Sequence, residues 1–314
     1  MVRLLLGLLL VSLPVLLAGE LMASATGGLT QARKTDANDE GLKNSFYAFN
    51  NSMRGKQPSD PAAQAALLAE LGYDGMEGYA LDELPRLAEE LHQRKLKVST
   101  IYFKVDIDAT EAPYDPRIAK YLETFLKDRG VILTVHLHSK RFRPSDPAGD
   151  KYAVPILRGL ADLAHAHGAK VAVYNHVTFW AESLADGIRL SKKVNRRNFG
   201  AAFNLCHWLS LEGETDLAGR LDEIMPYLLS VTLCGAEGGP GAKGASWSRL
   251  IQPLDQGSFD NLAFLRQVVS RGYRGPIGLQ CYNIPLPARE QLTKSMRAWR
   301  GFKQRFGADK RTRK

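Results

Sequence analysis

Eight times between residues 44 and 302, a short apolar run of strand type gives way to a longer segment whose apolar residues recur at i, i+3 and i+4. No other feature constrains the fold as much. Two parallel strands need a crossover of a dozen or more residues, usually a helix, so repeated strand-then-helix units dictate a parallel sheet. The strand runs are "SFYAF" (45–49), "DGMEGY" (74–79), "KVSTIYF" (97–103) and "VILTVHLH" (131–138). They continue with "AKVAVYNH" (169–176), "FGAAFN" (199–204), "LLSVTLC" (228–234) and "PIGLQCY" (276–282). Gly72, Gly130, Gly168 and Gly272 stand where intervening helices should end, as left-handed caps. The count fits an α/β protein: a closed (β/α)8 TIM barrel, in a single domain over residues 44–302. An open doubly wound sheet satisfies the same pattern.

In a closed barrel, chemistry sits at the C-terminal strand ends and the loops that follow them. The second strand delivers Glu77 there, the third Lys104, and the fourth His136 and His138. The fifth delivers Tyr174, Asn175 and His176, then Trp180; the sixth Asn204, His207 and Trp208; the seventh Thr232; the eighth Gln280 and Tyr282. A lone histidine at such a place usually serves structure, but four of the chain's seven fall on strand ends four to six. Neutral amides, imidazoles and phenols match hydroxyl groups, and aromatic faces cover the apolar side of a sugar ring, so the expected ligand is a small carbohydrate. His207 and His176 are the expected proton-transfer groups, because an imidazole titrates near neutrality. Tyr174 or Lys104 would be the acid or oxyanion stabiliser. Glu77, His136, His138, Asn175, Trp180, Asn204, Trp208, Gln280 and Tyr282 would contact substrate. For Glu77 a salt bridge to Lys104 or Arg54 is the plainer alternative. Arg141 and Arg143, after the fourth strand, offer charge to an anionic group.

Residues 1–25 carry Arg3, an apolar stretch from Leu4 to Ala18 and a small-x-small site at Ala23-Ser24-Ala25. That is the form of a cleaved secretory signal, too short to span a bilayer comfortably, and it implies a periplasmic or secreted protein with no stable membrane insertion after leader removal. Residues 26–43 read as a polar linker and 303–314, with six basic residues against one acidic, as a solvated tail. Cys206, Cys234 and Cys281 each close an apolar run and read as buried free thiols. The formal charge is +9, yet no aromatic-interleaved basic surface, zinc-finger spacing or phosphate loop points to nucleic acid or nucleotide. The oligomeric state is unknown from sequence.

The ordered set "LGYDGMEGY", "AKVAVYNHVTFW", "FNLCHWL", "LIQPLDQGSFD" and "GYRGPIGLQCY" resembles the xylose isomerase-like TIM-barrel family of sugar phosphate isomerases and epimerases, over roughly residues 44–302. The resemblance implies a divalent metal at the barrel mouth, held by a Glu, an Asp, a His and a Glu ending strands five to eight, with the two Glu as acid and base. This chain departs at each position: Tyr174, Asn204, Thr232 and Gln280 stand there, while His176, His207 and Glu77 remain. Amides and hydroxyls supply neither the charge that holds Mg²⁺ or Mn²⁺ nor the basicity that removes a proton. No metal ligand is therefore assigned, although His176 and His207, with His136, leave room for a softer divalent ion.

Two functions compete on this reading. One is an exported carbohydrate-active enzyme of isomerase, epimerase or lyase type, acting on a free sugar or sugar derivative without the family's divalent metal. The other is a non-catalytic, sugar-binding degenerate barrel. A purely structural use of the fold, with the polar rim under a partner chain, ranks third.

Overall fold

The computed structural model describes residues 41–308. Eight strands close on one another in sequence order: β1 (Phe46–Ala48), β2 (Gly75–Gly78), β3 (Lys97–Asp106), β4 (Ile132–His138), β5 (Lys170–Val173), β6 (Phe199–Asn204), β7 (Leu228–Leu233) and β8 (Ile277–Leu279). All pairings are parallel, and β1 meets β8 through Phe46, Tyr47 and Ala48 opposite Ile277, Gly278 and Leu279. This closure decides for the barrel over the open sheet.

The helices are α1 (Pro61–Leu71), α2 (Leu84–Gln93), α3 (Arg117–Glu123), α4 (Asp150–Ala166), α5 (Leu184–Val194), α6 (Leu205–Glu212), α7 (Leu217–Ile224), α8 (Trp247–Leu250), α9 (Asn261–Ser270) and α10 (Ala288–Ala308). Local chemistry explains their ends. Asp60 caps α1 by accepting the Ala63 N–H at 3.2 Å, and Pro61 occupies the first turn, where its missing N–H costs nothing. Gly72 closes that helix at φ 85°, a left-handed conformation that favours glycine. At α5, Ser183 and Asp186 form a reciprocal capping box.

Alternation along each strand sorts side chains into two layers. Phe46, Met76, Phe203 and Val231 pack outward against the helices on one side of the barrel; Ile101, Val135 and Val171 do so on the other. The inward residues Tyr47, Phe49, Tyr174 and Ala202, with Tyr102 against them, plug the interior. Gly278 makes room for that plug, since a Cβ there would lie 2.4 Å from the Phe49 ring and 2.7 Å from the Tyr47 ring.

Four local differences from the sequence expectation matter for the site. β3 runs on to Asp106, carrying Lys104 past the rim. β5 ends at Val173, so Tyr174, Asn175 and His176 begin the following loop. α6 starts directly after Asn204, which places His207 and Trp208 in a helical turn rather than on a strand end. α10 continues to Ala308, with Phe306 against the core, so the first half of the expected tail is helix. Leu42, at the end of the expected linker, is buried in the core. The expected signal at 1–25, most of the linker and the end of the tail lie outside the described residues. Among the described residues no helix is long and apolar enough to cross a membrane.

Candidate active site

A cavity of about 330 Å³ opens at the C-terminal end of the barrel. Its lining draws on the ends of β1, β2, β3, β4, β5 and β8 and on α6 and α8. Aromatic faces supply much of the wall: Phe49, Tyr102 and Tyr174 below, Phe179 and Trp247 at the sides, Tyr79 and Tyr282 at the mouth. These last two are 40% and 46% exposed, the two large apolar side chains left open among the described residues. A second cleft, about 470 Å³ and lined by Lys97, Arg129, Lys170 and Arg271, opens among the strand N-termini. It is larger, but barrel architecture places chemistry at the opposite mouth.

Glu77 is the carboxyl among the lining residues. A register shift between Met76 and Glu77 in the β2–β3 ladder marks a bulge there, a device that re-aims a side chain locally. Glu77 is 3% exposed; its Oε1 accepts the Asn50 N–H at 3.3 Å, while the buried Oε2 has no hydrogen-bond partner. Burial drives its pKa up to about 8, against the opposing Asn50 N–H and the charge of Arg54. The expected salt bridge does not form. Lys104 instead pairs with Asp106 at 3.0 Å and does not line the cavity, while Arg54 lies over the Tyr79 ring at 4.8 Å.

The histidines are present as neutral bases of low strength. Burial pushes His136 down to about 3, helped by the charges of His138, His176 and Lys104, and pushes His176 down to about 4. His207 is held well below its ordinary value by burial and by His176. His207 Nδ1 accepts the Val177 N–H at 3.2 Å, which leaves its proton on Nε2. His176 Nδ1 donates to the Val177 carbonyl at 2.7 Å, which leaves its Nε2 as an acceptor. Their rings pack with centroids 4.0 Å apart. His136 Nδ1 and His138 Nε2 share a hydrogen bond of 2.7 Å, so His138 reaches the cavity only through His136. His207 and His176 line the cavity as expected, but the expectation of a near-neutral titration is corrected, because desolvation penalises the imidazolium.

Tyr174 and Gln280 meet in the interior, where the Gln280 amide donates to the Tyr174 hydroxyl at 3.2 Å. Gln280 Oε1 accepts the N–H groups of Cys281 and Tyr282, each at 3.0 Å, and the Asn51 amide. Burial holds the Tyr174 phenol well above its ordinary value, so it stays a neutral donor and not a proton source. Asn204 is fully buried below the cavity: its Oδ1 accepts from the Thr232 hydroxyl at 2.9 Å and its amide faces the Asn175 carbonyl at 3.4 Å. Asn175 Oδ1 in turn accepts the Asn204 N–H at 3.1 Å.

These four strand-end side chains are where the family resemblance sets a divalent metal. They do not fit one. None is a carboxylate, and the oxygens of Asn204 and Gln280 are already engaged by N–H, S–H and O–H donors. Among the described residues no group of three or more His, Cys, Asp or Glu side chains is placed to hold an ion.

Several expected contacts fall away from the cavity. Asn175 and Asn204 hold each other beneath it. Trp208 is fully buried against Phe203, because one residue along a helix turns the side chain about 100° from the cavity-facing His207. Trp180 is buried too: its Nε1 donates to the Asp146 carbonyl at 3.1 Å, and its ring fills the space a Cβ on Gly149 would need. Arg141 lies over the Tyr152 ring at 4.9 Å, away from the cavity. Sequence reasoning missed Asn50, Asn51, Phe179 and Trp247 as lining residues. The buried Oδ1 of Asn50 has no partner, a second free acceptor beside Glu77 Oε2. Cys206, Cys234 and Cys281 are buried free thiols, as expected.

Residues 65–301 match the profile of the xylose isomerase-like TIM barrel family. The chain belongs to that family. No curated protein matches its sequence significantly. Solved structures share the family fold at low identity. A 3-keto-D-glucoside 4-epimerase from E. coli superposes with TM-score 0.62 at 18% identity, covering 82% of this chain and 98% of that one. A D-psicose 3-epimerase from Clostridium cellulolyticum H10, solved with D-tagatose, gives 0.59 at 14%, covering 83% and 98%. A xylose isomerase-like TIM barrel protein from Mycobacterium smegmatis, solved with magnesium, gives 0.63 at 17%, covering 85% and 97%.

Proposed function

We propose that this family member is an exported sugar isomerase or epimerase that moves a proton next to a carbonyl group without a divalent metal, with Glu77 as the acid–base group. The observation that carries the proposal is Glu77 itself: a buried carboxyl in an aromatic cavity, one oxygen unpartnered, its pKa raised to about 8. A group titrating near the working pH can both take and return a proton. The histidines, held far below neutrality, are weaker bases than the sequence alone suggests.

The chemistry balances on this chain's own residues. Ionised Glu77 takes the proton from the carbon beside the carbonyl. The C–H pair becomes a C=C bond as the carbonyl π pair moves to oxygen, where neutral N–H and O–H groups stabilise the enediolate. Glu77 then returns the proton to the adjacent carbon while the neighbouring hydroxyl passes its own proton to the former carbonyl oxygen, so that the second oxygen becomes the new carbonyl; this aldose–ketose exchange needs one carboxyl at carbon. Inversion of a centre needs a second donor on the other face, and the His176–His207 pair is the candidate. The unpartnered Glu77 Oε2, a donor when the carboxyl is neutral and an acceptor when it is ionised, and the acceptor Asn50 Oδ1 suit substrate hydroxyls. The E. coli and Clostridium neighbours, sugar epimerases by name, support a carbohydrate substrate. The leader-like residues 1–25 support export, and with it a free sugar in preference to a cytosolic sugar phosphate.

One observation favours the sugar-binding alternative: Tyr174, Asn204, Thr232 and Gln280 satisfy one another and leave little for chemistry. Solvent-isotope exchange separates the two. The full chain is incubated in D2O with EDTA and a panel of aldoses, ketoses and keto-glycosides, and deuterium in recovered sugar is read by NMR. Incorporation by wild type that is lost in Glu77→Gln supports the enzyme. Binding by both proteins with no incorporation leaves a binding protein.

A further inference from the structure

We propose that the substrate is a sugar acid whose carboxylate is held by Arg54, an inference that rests on the carbohydrate reading above. Among the residues that line the cavity, Arg54 and Glu77 alone have side chains whose ordinary ionisation leaves them charged at neutral pH. Glu77 is deeply buried, and its raised pKa keeps it largely protonated at pH 7. The cavity then carries the single positive charge of Arg54, at its open edge.

The placement of Arg54 suits a carboxylate. The chain leaves β1 through a tight turn at Asn50–Ser52, and the Arg54 N–H closes that turn on the Asn50 carbonyl at 2.9 Å. Its guanidinium carbon lies over the Tyr79 ring, 4.8 Å from the centroid, so a cation–π contact anchors the charge at the rim. Among the described residues no carboxylate is in ion-pair contact with it. A guanidinium engaged on one side by an aromatic ring and by no carboxylate has N–H donors left for the two parallel bonds a carboxylate accepts. The same turn presents the unpartnered Asn50 Oδ1, and Tyr79 is one of the two exposed aromatic residues at the mouth. Ring hydroxyls below and a carboxylate at the rim would engage both sets together. The single charge favours a carboxylate over a phosphate ester, whose charge of about −1.5 to −2 would be only part-neutralised.

The test is calorimetric titration of full-length protein with hexuronates and aldonates, their neutral hexose counterparts and hexose 6-phosphates, at two salt concentrations. The expected result is that at least one sugar acid binds about tenfold or more tighter than its neutral counterpart, the scale of charged hydrogen bonds. That advantage should vanish in Arg54→Gln, persist in Arg141→Gln, and be reduced but present in Arg54→Lys, which keeps the charge and loses the fork. Neutral hexoses binding as well as acids, phosphate esters binding best, or an advantage that survives Arg54→Gln would each overturn the sugar-acid inference and leave the carbohydrate reading standing. Failure of every sugar to bind would overturn both.

Discussion

Glu77 accepts the backbone N–H of Asn50 at 3.3 Å, and this is the only hydrogen bond its buried carboxyl makes among the described residues. The link ties the second strand of the barrel to the turn that ends the first. It also explains why the group is poised. A carboxylate gathering two or three N–H donors would be held ionised, whereas one donor and the charge of Arg54 leave desolvation dominant.

The first prediction concerns that carboxyl. If Glu77 is the base, the rate rises with pH as its ionised fraction grows and levels off above about pH 8. Glu77→Gln should lower turnover by roughly 10²- to 10⁴-fold, the range for a lost general acid–base group. Stability carries a separate signature. Between the ordinary value of 4.5 and about 8, the folded state holds a proton that the unfolded state has released. Stability is therefore fully present below the lower value and falls as pH rises, by up to about 1.4 kcal/mol per pH unit. Chemical denaturation from about pH 7.5 to 8, where histidines are mostly neutral in both states, should show a downward slope in wild type that is lost in Glu77→Gln. A flat wild-type profile would refute the assignment.

Tryptophans sort into two classes. Trp247→Ala removes a wall of the cavity and should weaken sugar binding roughly tenfold with a smaller loss of melting temperature than a core tryptophan gives, because Trp247 is only part-buried at the start of α8. Trp180→Ala and Trp208→Ala open cavities in the core and should lower stability by about 3–5 kcal/mol. Affinity measured on their still-folded fractions should be near wild type. Specific loss of binding in Trp208→Ala with unchanged stability would contradict the packing.

That distinction shows where sequence stops. The barrel was legible because strand and crossover periods repeat eight times, and the rim was legible because architecture says which strand end faces substrate. Glu77, His136, His176, Tyr174, Gln280 and Tyr282 reach the cavity for that reason, and His207 does so from the first turn of α6. Direction within a loop has no such rule. "FNLCHWL" reads as a strand end, yet a helix begins at Leu205 and points Trp208 into the core. Trp247 and Arg54 lie in connections with no periodic pattern, so nothing local marks them. Burial, which sets the strength of each acid and base, is a tertiary property; the imidazoles looked titratable for want of it.

Metal removal gives the third prediction. Turnover and melting temperature should be unchanged by EDTA. Asn204→Asp, the exchange that would bring back a carboxylate, should destabilise by about 1–3 kcal/mol rather than build a site. The Asn204 amide faces the Asn175 carbonyl at 3.4 Å, and an oxygen there would set two acceptors against each other in a buried place. A stabilised Asn204→Asp protein that takes up Mn²⁺ would overturn this.

The last prediction is acid loss of stability through the histidines. His136, His176 and His207 have folded-state values below the ordinary 6.5, at about 3, about 4 and well below it, and burial and the Lys104 charge lower His138 as well. Below pH 6.5 the unfolded chain binds protons that the folded chain refuses, so their contribution is whole above 6.5 and is lost as pH falls toward 4. Glu77 runs the other way from about 8 down to 4.5 and offsets one of the four. The stability profile should therefore peak near about pH 7 and fall on both sides. His136→Gln keeps a polar group opposite His138 and should shallow the acid limb while leaving the alkaline limb intact; Glu77→Gln should do the reverse and steepen the acid limb. Equal acid limbs in wild type and His136→Gln would show that His136 is solvated, and with it the mouth of the barrel.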